Sequence, residues 1–151
     1  MKNIFLILVA ICLSACCQTN CNKNHNKIQD TAAAVKYFEN EMRFTTNPGG
    51  VKAGIKENNV VIVDVRREAD FKAGHIPGAI NLPFDKWDRF QGDQKEFPGL
   101  SRDKYNYVYC YELLCNLGQK AAKKFASLGY PAKEVKGGFQ SWKDHKYPIE
   151  K

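Results

Sequence analysis

Five of the six residues in Val60-Val61-Ile62-Val63-Asp64-Val65 are apolar and β-branched. Successive side chains of a strand point to opposite faces, so a strand with one wet face alternates apolar and polar residues. This run does not alternate. It fits a strand buried on both faces, the situation of a parallel sheet covered by helices on each side. A chain holding such a strand is constrained to the α/β class. Asp64 closes the run. A buried carboxylate needs partners, and loop N–H groups beyond the strand end are the expected ones.

A second stretch, Tyr105 to Ala122, places chemistry on this frame. Tyr107, Val108 and Tyr109 suit a strand. Beyond Cys115, Leu117, Ala121, Phe125 and Leu128 are spaced by four, four and three, a helical stripe. Cys110 therefore stands where a strand stops and faces the start of a helix. Free N–H groups and the positive helix end favour thiolate over thiol, and the thiolate is the nucleophile. Local sequence equally admits a small buried hydrophobe. Strand-end position favours function, since ligands of open α/β sheets bind outside the carboxyl ends of strands. On this reading the Cys110 pKa falls below the free value of about 8.5. Cys110 sits at the mouth of a shallow cleft, over a core containing Val61, Val63, Val108 and Leu128.

The remaining elements alternate. Thr31 is expected to cap a helix with apolar positions Ala34, Val35, Phe38 and Met42, broken by Asn47-Pro48-Gly49-Gly50. Val51–Lys56 and Glu68–Ala73 are short helices, and Ala79–Leu82 is a short strand ended by Pro83. Phe84 to Pro98, with Trp87 and Phe90, is one helical turn and a loop. Cys115–Leu128 is a helix stopped by Gly129. Lys133–Val135 is a brief strand, and Gly137-Gly138 opens a last helix carrying Phe139 and Trp142 as core residues. Arg66 is expected to pair with Glu68 or Asp70, His75 to stabilise its turn, and His145 to lie at the surface.

The 151 residues carry a formal charge of +7, with the charges interspersed and no basic stripe among aromatics. Nucleic-acid binding is therefore not expected. Residues 1–15, MKNIFLILVAICLSA, combine Lys2 with a short apolar run and form a signal peptide rather than a membrane span. Leu13-Ser14-Ala15-Cys16 resembles a bacterial lipobox. The resemblance implies that Cys16 is lipidated and the protein anchored in the cell envelope, facing the periplasm or the outside; a plain signal peptide is the alternative. Residues 16–30 are polar and rich in Asn and Lys, a tether that cannot bury a core. His25 belongs to it as a solvated residue, and Cys17 with Cys21 is a weak metal signal lacking a second ligand pair. Residues 31–151 are then one domain.

Asp64-Val65-Arg66, Glu68, Asp70-Phe71 and Gly74-His75-Ile76-Pro77-Gly78-Ala79-Ile80-Asn81-Leu82-Pro83 resemble the first signature of rhodanese-like domains. Val108-Tyr109-Cys110 is similar to the strand that delivers their active cysteine, and Gly137-Gly138-Phe139 with Trp142 to their closing signature. The resemblance covers about residues 34–148. It implies a three-layer fold, a five-stranded parallel sheet with helices on both faces. It also implies a sulfurtransferase in which Cys110 carries sulfane sulfur as a persulfide, with no cofactor or metal. Tyr111, Glu112, Leu113, Leu114, Asn116 and Leu117 form the active-site loop, and Asp64, Arg66 and His75 support it.

Active sulfurtransferases of this family carry Cys, four residues, then Arg. Here the fifth residue after Cys110 is Cys115, whereas aligning back from Ala121–Ala122 puts Leu117 at the arginine position in a loop two residues longer; neither alignment supplies an arginine, and Glu112 is the only charge between Tyr111 and Gln119. An anionic donor such as thiosulfate loses a charge-assisted bidentate contact. The alternative is a thiol/disulfide redox or binding module using Cys110 and Cys115, since disulfides persist outside the cytoplasm. In either case Cys115 is the candidate resolving or redox partner. A phosphatase or arsenate reductase, with a longer loop ending in Arg, fits less well. The expected partners are a small-molecule or protein sulfur donor and acceptor, and the domain is expected to be a monomer. If Cys16 anchors the protein, Cys16→Ser releases it from membrane pellets; retention of the variant through a salt wash contradicts the anchor.

Overall fold

The computed structural model describes residues 30–86 and 97–151. The expected signal peptide, Cys16, Cys17, Cys21, His25, Trp87 and Phe90 lie outside the described residues. Compact units comprise residues up to Tyr37 and Phe38–Lys151, and the boundary falls inside the first helix, α1, Thr31–Phe44. Asp30, rather than Thr31, caps α1, its Oδ1 accepting from the Ala33 N–H at 3.0 Å. No residue of α1 is buried, so the stripe through Val35, Phe38 and Met42 stays exposed.

From Phe38 onward the chain builds the layers of one α/β unit. A short strand β1, Thr45–Thr46, which the sequence reading did not anticipate, follows α1 directly. Asn47-Pro48-Gly49-Gly50 does not simply break a helix. Asn47 caps α2, Pro48–Glu57, through a 3.0 Å bond from the Gly50 N–H, and Pro48 occupies the first turn, where no N–H is needed. Then come β2, Val60–Asp64; α3, Glu68–Ala73; and β3, Ile80–Asn81. After the undescribed segment come β4, Tyr105–Tyr109; α4, Leu117–Ser127; β5, Ala132–Val135; and α5, Gly138–Asp144.

All described strand pairs are parallel, in the order β1-β5-β4-β2-β3. This is the expected five-stranded parallel sheet. Strand β4 is central, and β2 pairs with it residue for residue from Val60–Tyr105 to Asp64–Tyr109. Side-chain alternation divides the core. Val63, Val65, Val108 and Cys110 pack with Ala121 and Phe125 of α4 on one face. Ile62 and Tyr109 pack with Val51 of α2 and with Phe139 and Trp142 of α5 on the other. Val63 and Val108 are fully buried, whereas Val61 and Leu128 are only half-buried at the edges of the first cluster.

One polar residue inside β4 follows no apolar pattern. Asn106 is wholly buried, and its amide donates to the carbonyls of Ser101 and Pro131 at 2.7 and 2.8 Å while accepting from the Ser101 N–H at 2.9 Å. It closes the loop before β4 onto the turn before β5. No described buried side-chain nitrogen or oxygen lacks a partner, as a specific interior requires.

Candidate active site

The carboxyl ends of β2 and β4 converge, and the Val65 N–H donates to the Tyr109 carbonyl at 3.0 Å. Asp64 is fully buried there. Its Oδ1 accepts from the Arg66 N–H at 2.8 Å, and its carboxylate takes the Arg66 guanidinium at 2.6–3.1 Å. Arg66 therefore pairs with Asp64, not with Glu68 or Asp70. The extended segment between the two residues puts both side chains on one side of the chain, next to each other in a buried place. Arg66 also donates to the Gly74 carbonyl at 2.8 Å and lies 4.0 Å from the centre of the Phe139 ring. Burial works against its charge, but the hydrogen bond and charge of Asp64 outweigh it and raise its pKa. Glu68 instead pairs with Lys72 and Lys86. Asn81 extends the network, donating to the carbonyls of Asp64 and Arg66 at 3.1 Å.

His75 is buried and inward-bonded. Its Nδ1 meets the Phe71 carbonyl at 2.9 Å, its ring stacks on Phe71 at 3.7 Å, and its backbone bridges Glu150. Those contacts, with its Nε2 3.7 Å from Glu150 Oε2, tie the turn to the C-terminal segment. His145 is exposed.

Cys110 follows directly on β4 and points to the α4 face. The loop after it is held at its base by α5. The N–H groups of Phe139 and Gln140 donate to the carbonyls of Cys110 and Tyr111 at 2.9 and 2.8 Å. Gly138 makes this approach possible. Its φ is +56°, and a Cβ built there would lie 2.6 Å from the Cys110 carbonyl oxygen and 2.9 Å from the Glu112 nitrogen. The sequence marked Gly137-Gly138 as a helix start; that this start is pressed onto the loop after Cys110 becomes visible only in three dimensions.

Tyr111 fixes the loop laterally, its hydroxyl donating to Asp70 Oδ2 at 2.6 Å and accepting from the Arg67 N–H at 3.3 Å. A turn closed by the Cys115 N–H to the Glu112 carbonyl at 3.1 Å then reverses the chain. Leu113 and Leu114 stand out from this turn, 74% and 89% exposed. Asn116 is exposed and makes no side-chain cap to α4; Leu117 begins the helix and is half-buried. Cys115 therefore lies in the loop, not at the helix start, because α4 begins two residues later than the apolar spacing suggested.

Cys110 itself is 3% exposed. The N–H groups of Gly118, in the first turn of α4, and of Tyr111 lie near its sulfur and favour the thiolate, the influence expected of a strand end facing a helix start. Its thiol donates to the Cys115 carbonyl at 3.1 Å. Burial, reinforced by the hydrogen bond with the Cys115 side chain, outweighs the two N–H donors and pushes the Cys110 thiol up to about 12. The expected depression is thus reversed. Helix-end dipoles favour a thiolate, but desolvation of the charged form is the larger effect at a sulfur this enclosed.

Two cavities flank the loop. One of about 610 Å³ is lined by Arg66, Asp70, Tyr111, Glu112 and Phe139, the other, of about 450 Å³, by Val65, Arg67, Phe84, Tyr111 and Leu117. Tyr111 lines both, and Cys110 neither, so Cys110 lies beneath its loop rather than at the mouth of a cleft. Among the described residues no group of three or more His, Cys, Asp or Glu is placed to hold a metal ion. With the thiol pKa raised, alkylation of Cys110 by iodoacetamide is expected to keep rising from about pH 7 to about pH 10. A plateau near neutrality, read by peptide mass, contradicts the assignment.

The comparisons agree with this architecture. The sequence profile described as "Rhodanese-like domain" matches residues 47–145, well over half of the chain. The thiosulfate sulfurtransferase GlpE of Tolumonas auensis is 35% identical over 92 residues, covering 60% of this chain and 77% of that protein. The adenylyltransferase and sulfurtransferase UBA4 of Candida albicans is 31% identical over 85 residues, 56% of this chain. The match spans only 19% of UBA4, and 38% of the HTH-type transcriptional regulator Rv0324 of Mycobacterium tuberculosis, which is 30% identical over 91 residues. Among solved structures, the BH2092 protein of Bacillus halodurans superposes with a TM-score of 0.66 at 30% identity, covering 80% of this chain and 86% of that one. The chain belongs to the rhodanese-like domain family.

Proposed function

We propose that the protein is a sulfurtransferase whose Cys110 accepts sulfane sulfur, holds it as a persulfide and passes it to a nucleophilic acceptor. The observation that carries the reading is the setting of the Cys110 sulfur, just past the end of the central strand and packed against α4, with the N–H groups of Tyr111 and Gly118 near it. Such donors suit an anionic persulfide sulfur, because hydrogen bonds to charged acceptors are the stronger ones. The relatives named as sulfurtransferases add support at about the same level of identity.

The electrostatics of the loop favour one class of donor. Glu112 is the only charged residue from Tyr111 to Gln119, and the Arg66 guanidinium is committed to Asp64 and the Gly74 carbonyl. An oxyanion donor such as thiosulfate finds no bidentate cation in the loop, whereas a thiol persulfide or polysulfide needs none. We place this chemistry in the bacterial cell envelope, tethered through Cys16, on the lipobox resemblance of Leu13–Cys16. A second reading, a redox or binding module, is favoured by the contact of the Cys110 thiol with Cys115.

Thiocyanate formation, with cyanide present as acceptor throughout, tests the proposal using thiosulfate, polysulfide and glutathione persulfide as donors. Cys110→Ser is expected to fall to the uncatalysed background, and persulfide donors to exceed thiosulfate by about tenfold or more, the scale of one lost charge-assisted contact. Wild-type activity in Cys110→Ser, or background rates with every donor in both wild type and Cys115→Ser, refutes sulfur transfer at Cys110.

A further inference from the structure

Cys115 is not accounted for by a family loop that would hold an arginine in its place. The turn through Glu112, Leu113 and Leu114 folds it back over Cys110, so that its own carbonyl accepts the Cys110 thiol at 3.1 Å. Its side chain packs against the core cluster that contains Cys110. The two thiols differ in access. Cys110 is buried, Cys115 is half-buried, and no charged residue stands between them other than Glu112. A thiol held against a sulfur that carries a sulfane atom is a nucleophile next to a cleavable S–S bond.

We propose that Cys115 resolves the Cys110 persulfide, so that the domain converts sulfane sulfur into sulfide and an internal Cys110–Cys115 disulfide. The inference rests on persulfide formation at Cys110. Cys115, as thiolate, attacks the inner sulfur, Sγ of Cys110, the atom its loop contacts. The bond between the two cysteine sulfurs forms, and the bond from Sγ to the outer sulfur breaks. The electron pair of the broken bond stays on the outer sulfur, which takes up the proton given up by Cys115 and leaves as hydrosulfide. Cys115 is oxidised and the outer sulfur reduced, so the step needs no other oxidant. Return to the dithiol takes two electrons and two protons from an external dithiol. The substrate class is accordingly a persulfide or polysulfide, and the second product is a disulfide that a dithiol reductant must consume.

The test treats reduced full-length wild type, Cys115→Ser, Cys115→Ala and Cys110→Ser with an equimolar amount of glutathione persulfide without oxygen. Sulfide is followed in time, and cysteine peptides are mapped by mass. Wild type is expected to release sulfide in a burst and yield a Cys110–Cys115 peptide pair. Both Cys115 variants are expected to retain one extra sulfur on Cys110 and to release sulfide about tenfold more slowly or less. If wild type retains the Cys110 persulfide as stably as the variants, or if the extra sulfur maps to Cys115, resolution is refuted while sulfur carriage stands. If the Cys115 variants gain no sulfur from this donor, thiosulfate or polysulfide, sulfur carriage fails and resolution fails with it.

Discussion

The site depends on an enclosed sulfur at the end of a central strand. Cys110 sits in line with the central strand β4, its carbonyl taken by the Phe139 N–H and its sulfur near the N–H groups of Gly118 and Tyr111. Two helix starts therefore converge on one residue, α5 on its backbone and α4 on its side chain. Gly138 sets how close the first can come, since any Cβ there collides with the loop backbone. Fixed from both sides, Cys110 cannot drift toward solvent. Its thiol is protonated at rest because burial is a larger influence than two N–H dipoles. The part of the loop least held by the core is the turn carrying Leu113 and Leu114.

The charges near the site serve the scaffold. Asp64 and Arg66 are both buried, and each satisfies the other, with Gly74 and Asn81 completing the set. Removing one partner of such a pair leaves an uncompensated buried charge, at a cost of about 3–5 kcal/mol. Arg66 is for that reason unavailable to replace the arginine missing from the loop, although it lines the neighbouring cavity. The loop itself, from Tyr111 to Gln119, therefore carries no cation.

Much of this was legible in the sequence. The non-alternating Val60–Val65 run required a doubly covered parallel strand, and the strand–cysteine–helix order put Cys110 at a strand end. What failed was what depends on non-local contact. Strand β1 is two residues long and exists because β5 lies beside it. Asn47 had the composition of a breaker and the position of a cap. The partner of Arg66 was set by which carboxylate is buried with it, and no spacing rule carries that. The Cys110 pKa was misjudged for the same reason. Helix dipoles follow from element order, whereas burial follows from how closely the loop, α4 and α5 close over the sulfur.

The intact mass of the purified full-length protein after exposure to a sulfane-sulfur donor, read before and after reduction and located by peptide mapping, tests the central claim most directly. Resolution by Cys115 predicts a chain lighter by two hydrogens than the reduced form, with no added sulfur and the loss mapped to Cys110 and Cys115. A chain heavier by one sulfur atom at Cys110, stable in the presence of an intact Cys115 thiol, would contradict it.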